Sequence, residues 1–422
     1  MRKHLCIIFL TLISLQAFCV ATAWAQKPSE ALQTLLPEAT ELTQDDLSFL
    51  SSYNFSWFFD VLEYQTEKEQ KVLKDKQNSV LEMTWLGVLS EEDKELINAV
   101  SNLVGVDHKK AINLVQPHAK QGNPNYQYLM GLLHVSSFNK QSVSKSNTLQ
   151  IQYWCTEAAS NGHPNAQYQL GQLHRLGIEG FEADLNLALK WYIEALNNPN
   201  EITRSRFEPG DIENQIARIY SNDSFLGKDE KEADKYYHMA AAKGNKYALT
   251  SLGAMAFRKG NFEEFLELTK KSADQGYSPA MLSLAVAYLT GSVTVLPDHY
   301  TYRIWVDKAI ANGNVDAMFH LADYFQNMPY PFPENLKKAA KYYQKAAREG
   351  NKRAQYLFAE LNEAGTVIEK DLIRAYLNYN AAYVNGYEEA LQSLNRLKTQ
   401  LSPFQLKLAQ KMAEKLGHPP PP

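Results

Sequence analysis

The residues of this chain with a spacing suited to covalent chemistry are Ser142-Val143-Ser144-Lys145, a serine with a lysine three positions on. In a serine–lysine hydrolase the lysine side of such a motif helps activate a hydroxyl, and further partner motifs complete the site. None follows here, and the motif lies in a polar stretch, so the spacing reads as coincidence. The ten histidines do not cluster at metal-ligand intervals, and the carboxylates are scattered, with no pair placed for acid–base work. The sequence therefore implies no catalytic residue, no metal and no cofactor. Cys155 follows Trp154 inside an expected helix and reads as a small buried apolar residue. What remains is binding chemistry. Three sets of residues mix amides, aromatics and charges: Asn165, Tyr168, Gln172 and Arg175; Asp316, Phe319, Asp323 and Gln326; Arg353, Tyr356, Glu360 and Glu363. That mixture suits a peptide or an extended glycan; packing alone would also account for Tyr168 and Tyr356.

The elements that must position these sets follow from a recurring glycine. Take Gly350 and step by four: Tyr342 lies eight residues before it, Ala346 four before, Ala354 four after and Phe358 eight after. The frame repeats at Gly313 (Trp305, Ala309, Ala317, Leu321), Gly244 (Tyr236, Ala240, Ala248, Leu252) and Gly162 (Trp154, Ala158, Ala166, Leu170). Gly276 keeps Ala280 and Leu284, and Gly386 keeps Ala382, Ala390 and Leu394. Steps of four keep side chains on one helical face. The alanines let two helices cross closely, and the glycine closes one helix and turns the chain into the next. Aromatics eight before the glycine and leucines eight after it are expected to fill the space between neighbouring pairs. Counted from Gly122, successive glycines stand 40, 82, 32, 37, 37 and 36 residues apart. The gap of 82 holds two units, the second degenerate, with helices expected over Ile212–Tyr220 and Lys231–Lys243. Such a period marks stacked helix pairs. The three residue sets occupy positions 3, 6, 10 and 13 after the glycine, a stripe on the first helix of each pair, which is expected to line a concave surface.

Around this array the chain reads in order. Met1-Arg2-Lys3-His4 is a short basic head, Leu5–Val20 is apolar, and Ala23-Trp24-Ala25 offers small residues where a signal peptidase cuts, before Gln26. Residues 1–25 are thus expected to be a cleaved signal peptide. At roughly 16 residues the apolar run is short for a span of about 20. Cleavage removes Arg2 and Lys3, leaving 41 basic and 47 acidic residues, a net charge of −6 that gives no reason to expect nucleic acid. It also removes Cys6 and Cys19, so Cys155 has no disulfide partner. No later window approaches 18 consecutive apolar residues, so no membrane span is expected after cleavage. Residues 26–77 read as a polar leader and helical cap rich in aromatics (Phe49, Tyr53, Trp57), and 78–416 as the repeat array, clear from Gly122. Between 78 and 121 two registers compete: a faint frame at Leu86-Gly87, or a pairing of Glu91–Val104 with Lys109–Lys120. Residues 417–422, ending in four prolines, are expected to form a frayed tail.

Several of these positions together resemble the Sel1-like repeat, a relative of the tetratricopeptide repeat. Lys190-Trp191-Tyr192-Ile193-Glu194-Ala195 and Lys341-Tyr342-Tyr343-Gln344-Lys345-Ala346-Ala347 are similar to its second helix, and Ala166-Gln167-Tyr168-Gln169-Leu170-Gly171-Gln172-Leu173 to its first. The departures are His134 and His174 where an aromatic is usual, and Ala285, Ala322 and Ala359 where a glycine is usual. The resemblance implies an all-α fold, a right-handed α-solenoid of stacked antiparallel helix pairs. It also implies a non-enzymatic adaptor or scaffold, often of the bacterial envelope, with the periplasm as the expected location. Its expected partner is another envelope protein, a peptide segment or a glycan. The competing expectations are a scaffold in a cell-wall or exopolysaccharide secretion complex, or an enzyme or enzyme inhibitor acting on cell-wall material.

Overall fold

A computed structural model describes residues 61, 64, 91–103, 107–136, 145–177, 181–199, 208–221, 229–293, 296–328 and 333–421. The expected signal peptide, nearly all of the N-terminal cap and the faint frame at Leu86-Gly87 lie outside the described residues, as do Ser142 and Ser144. Among the described residues the secondary structure is helical throughout, with eighteen complete helices and no strand. They fall into two compact units, divided between His299 and Tyr300.

The first unit holds α1 (Glu91–Leu103), α2 (His108–Lys120), α3 (Pro124–Ser136), α4 (Lys145–Ser160), α5 (Pro164–Leu176) and α6 (Leu185–Asn197). It continues with α7 (Asp211–Tyr220), α8 (Glu230–Ala242), α9 (Lys246–Arg258), α10 (Phe262–Asp274) and α11 (Ser278–Thr290). The second holds α12 (His299–Ala311, from Tyr300 on), α13 (Val315–Gln326), α14 (Pro333–Arg348), α15 (Lys352–Ala364), α16 (Leu372–Val384), α17 (Ala390–Lys398) and α18 (Pro403–Lys415). Consecutive helices pack as hairpins: α3 on α4, α5 on α6, α7 on α8, α9 on α10, α13 on α14 and α15 on α16. Within 78–121, α1 packs on α2, so the pairing of those two segments is the arrangement observed.

The glycine frame explains the hairpins physically. Gly350 has φ 93°, a left-handed value that a side chain resists, and the other frame glycines share it, from 75° at Gly313 to 85° at Gly122. The alanines four residues either side are sealed: Ala158, Ala166, Ala240, Ala248, Ala309, Ala317, Ala346 and Ala354 all have 0% exposure. Leu170, Leu252, Leu284 and Leu321, eight after the glycine, are buried as expected.

The expectation for the aromatic eight before the glycine holds at Trp154, which is buried, and is corrected at the later turns. Tyr236, Trp305 and Tyr342, eight before the glycine, are only half-buried, whereas the residue seven before it is deep: Cys155, Tyr237, Thr269, Val306, Tyr343 and Tyr379. Tyr192 holds the same place in its hairpin. The reason lies nine residues after the preceding glycine. A Cβ added at Gly131 would stand 2.6 Å from the Cys155 sulfur, and one at Gly171 would stand 2.6 Å from the Tyr192 ring. At Gly253 it would collide with the Thr269 hydroxyl. The second helix thus presses one inward side chain against a bare spot on the first. Ala322 and Ala359 fill this place in the later hairpins, and Ala285 holds the same position on α11; all three are equally buried.

At the C-terminal end α18 packs over α16, covering Ile373, Tyr376 and Leu377 with Leu408, Ala409 and Met412. Asn380 donates to the His418 carbonyl at 2.6 Å, so the proline tail begins after an anchored residue. Tyr64, from the expected N-terminal cap, hydrogen-bonds Glu349 through its hydroxyl, with the Arg348 guanidinium 3.9 Å from its ring centre.

Candidate functional site

The described residues contain no group of three or more His, Cys, Asp or Glu side chains able to hold a metal ion. His174 meets Phe181 edge-on at 5.1 Å between ring centres, the contact of an aromatic rather than of a ligand. Cys155 is buried as a thiol against Gly131. The candidate surface is therefore the stripe on the first helices, which differs between the two units.

In the unit containing α12–α18, stripe residues of one hairpin bond to the next. Asp316 accepts from Asn351 Nδ2 at 2.8 Å, and the Arg353 guanidinium lies 5.3 Å from the Phe319 ring centre. Phe319 is itself buried. Asp323 accepts from Asn327 Nδ2 at 3.0 Å and faces the Tyr343 hydroxyl at 3.5 Å. Tyr356 meets Ser393 at 3.3 Å, hydroxyl to hydroxyl, and packs its ring near Tyr379 and Tyr387. Glu363 accepts from Tyr379 Oη at 2.9 Å, Arg396 Nη2 at 2.7 Å and Gln400 Nε2 at 3.1 Å. Burial pushes the Glu363 carboxyl upward, but these three donors together hold it below the usual carboxylate range. Asp316, Gln326, Arg353 and Glu360 remain exposed. This stripe carries four carboxylates to one guanidinium, and part of it is spent on joining hairpins.

In the other unit, Asn165 is buried, while Tyr168, Gln172 and Arg175 form a relay. Gln172 Nε2 donates to the Tyr168 hydroxyl at 2.8 Å, and Arg175 Nη2 donates to Gln172 Oε1 at 3.0 Å. Burial raises the Tyr168 phenol, with Asp211 and Gln215 of the next hairpin near enough to influence it. The buried set Ile212, Ile216 and Ile219 on α7 matches Ala166, Leu170 and Leu173 on α5. That register puts Asp211 level with Asn165, and Arg218 level with Gln172. Arg218 is thus a stripe residue, one that the sequence frame missed because Gly210 is out of step with the others. Arg218 Nη1 donates to Gln215 Oε1 at 3.4 Å.

A second set of groups, absent from the sequence reading, sits at the turns. Asn245, Asn314 and Asn351, one residue after the glycine, cap the next helix by accepting from Ala248, Ala317 and Ala354 N–H. Asn245 also donates to Asp211 at 2.9 Å, as Asn351 does to Asp316. Five residues after the glycine, Gln355 donates to the Ala347 carbonyl at 3.1 Å and accepts from Asn385 at 3.0 Å. Gln167 repeats this with the Ala159 carbonyl and Asn198, and Gln127 accepts from Asn161. Side-chain amides thus clasp several turns to the next.

The family model for the Sel1 repeat matches residues 164–200, 213–245, 278–314, 315–351 and 352–387. These five segments are Sel1 repeats. A crystal structure of a Sel1 repeat protein from Oxalobacter formigenes is 22% identical, over 86% of this chain and 99% of its own, with a TM-score of 0.54. The protective antigen c5321 of uropathogenic Escherichia coli, described as displaying an SLR fold, is 18% identical, over 85% of this chain and 79% of its own, with a TM-score of 0.46. At these identities the likeness concerns the fold. No curated protein matches the sequence. The α9–α10 hairpin falls between matched Sel1 segments, yet Gly253 against Thr269 and the Asn245 cap give it the same construction.

Proposed function

We propose that this chain is an exported, non-enzymatic adaptor that holds another protein of the bacterial envelope along its first-helix stripes. Sel1-repeat proteins generally mediate protein–protein interactions, and the family is typically a scaffold rather than a catalyst. The observation that carries the reading is the stripe itself. Asp316, Gln326, Arg353 and Glu360 are exposed in register on successive helices whose opposite faces are sealed, so rigid backbone presents them together. Export is supported by the basic head, apolar run and Ala23-Trp24-Ala25 of the sequence. No helix among the described residues is long and apolar enough to cross a membrane.

The test has two arms. Cell fractionation with mass determination is expected to find a chain beginning at Gln26 in the periplasm; an uncleaved chain in the cytoplasm would overturn the export reading. Crosslinking followed by affinity capture is expected to recover one dominant envelope protein, lost when Arg353 and Glu360 are both replaced by alanine. Hydrolysis of murein by the purified chain, abolished by a single carboxylate substitution, would replace the adaptor reading with an enzymatic one.

A further inference from the structure

The stripe of the first unit leaves a positive surplus: two guanidiniums without a carboxylate partner among the described residues. Among the described residues Arg175 donates to Gln172 and lies beside the Tyr192 hydroxyl, while its Nε is buried with no acceptor. Arg218, exposed on α7, donates to Gln215. Neither guanidinium meets a carboxylate among the described residues, although the chain is acidic overall and several lysines of this unit are paired. Lys235 pairs with Glu232, Lys243 with Glu213 and Lys246 with Glu208. The carboxylate on the same stripe, Asp211, is occupied by Asn245. Tyr168 and Tyr192 share one apolar cluster with Ile212 and Ile216, which brings α5, α6 and α7 together, and both arginines lie within electrostatic reach of the Tyr192 phenol.

The surroundings narrow the ligand further. Tyr168, Gln172 and Gln215 lie beside the guanidinium groups and offer hydrogen bonds of the kind that a peptide backbone satisfies. Arg218 also lies within electrostatic reach of Tyr277, which meets Tyr247 edge-on at 5.0 Å. From there the stripe loses its charge: Tyr247 and Ala254 are exposed on α9, and Leu282 and Val286 are half-exposed on α11. Guanidinium forks suit carboxylates, and aliphatic side chains suit an apolar residue rather than a sugar ring.

We infer that this face binds an extended peptide segment of the partner in which carboxylates stand beside apolar side chains. The inference rests on the adaptor reading and names the chemistry of what the adaptor holds.

The probe is a fluorescein-labelled dodecapeptide, half glutamate and half leucine, titrated with the signal-cleaved chain and followed by fluorescence anisotropy. Saturable binding is expected. It should weaken at least about tenfold when glutamine replaces glutamate, and by a similar factor in Arg175→Gln/Arg218→Gln, since each loses charge-assisted hydrogen bonds. Arg218→Glu should regain affinity for the lysine counterpart of the peptide. Arg218→Gln alone, at an exposed site, keeps the test valid if the double variant fails to fold. Equal affinity for the glutamine peptide, or no saturable binding by the parent chain, would overturn the inference. So would parental affinity in a folded double variant, or preference for a polyglucuronate chain over the peptide. Retention by the double variant of the envelope partner captured by the parent would remove this assignment while leaving the adaptor reading standing.

Discussion

Replacing Gln355 by leucine removes one amide clasp while keeping the volume of the side chain. Gln355 is 4% exposed and makes two bonds, to the Ala347 carbonyl at 3.1 Å and from Asn385 at 3.0 Å. Each buried bond contributes about 0.5–1.5 kcal/mol net, and a buried group left unmatched costs about 1–3 kcal/mol. Asn385 is exposed and can turn to water, and the Ala347 carbonyl still accepts from the Gly350 N–H at 3.0 Å, so neither partner is left unmatched. The expected loss is therefore that of two bonds, about 1–3 kcal/mol. Urea unfolding followed by far-ultraviolet circular dichroism measures it. Hydrogen exchange localises the loss to the turn at Gly386, because repeat arrays can open segment by segment. Asn385→Ala alone should cost less, and the double variant should show a coupling of about 0.5–1.5 kcal/mol. A change below about 0.5 kcal/mol in Gln355→Leu, or strict additivity of the pair, would refute the view that these amides join hairpins.

Three further outcomes are expected. Gly171→Ala would normally stabilise a helix by about 0.5–1 kcal/mol. Here the added Cβ meets the Tyr192 ring at 2.6 Å, so thermal denaturation should show a loss of about 1–3 kcal/mol instead. Ala354→Leu, at a fully buried crossing, should lose a similar amount by the same measurement; an unchanged melting temperature would count against the register. Glu363→Gln tests the stripe bonds by pH. The folded carboxyl is held below its unfolded value, so its contribution is present above the unfolded value near pH 4.5 and is lost as pH falls through the folded one. The melting-temperature gap between parent and variant should thus be widest at neutral pH and close in acid.

The hairpins were legible because steps of four lay small residues along one helical edge, and every frame alanine named above is sealed. The inward aromatic was not. Trp191-Tyr192, Tyr236-Tyr237 and Tyr342-Tyr343 are adjacent, about 100° apart around the helix, and periodicity alone gave no ground for choosing the second. The stripe was legible as a face but not in its engagements, since Asp316, Tyr356 and Glu363 find partners more than thirty residues away. Asn351 and Gln355 looked like ordinary polar surface, because a clasp between turns leaves no local pattern beyond the cap. Arg218 was hidden by the irregular entry to α7, where Gly210 stands out of step with the other turns.

The bond from Asn245 to Asp211 recurs as the bond from Asn351 to Asp316, so these joints are interchangeable in kind. A gene that duplicates or drops one whole module between such asparagines re-creates a fitting joint, whereas a break within a module strands both halves. Length can therefore drift by whole modules without redesign, and the variation in reach that this permits is a trait on which selection can act.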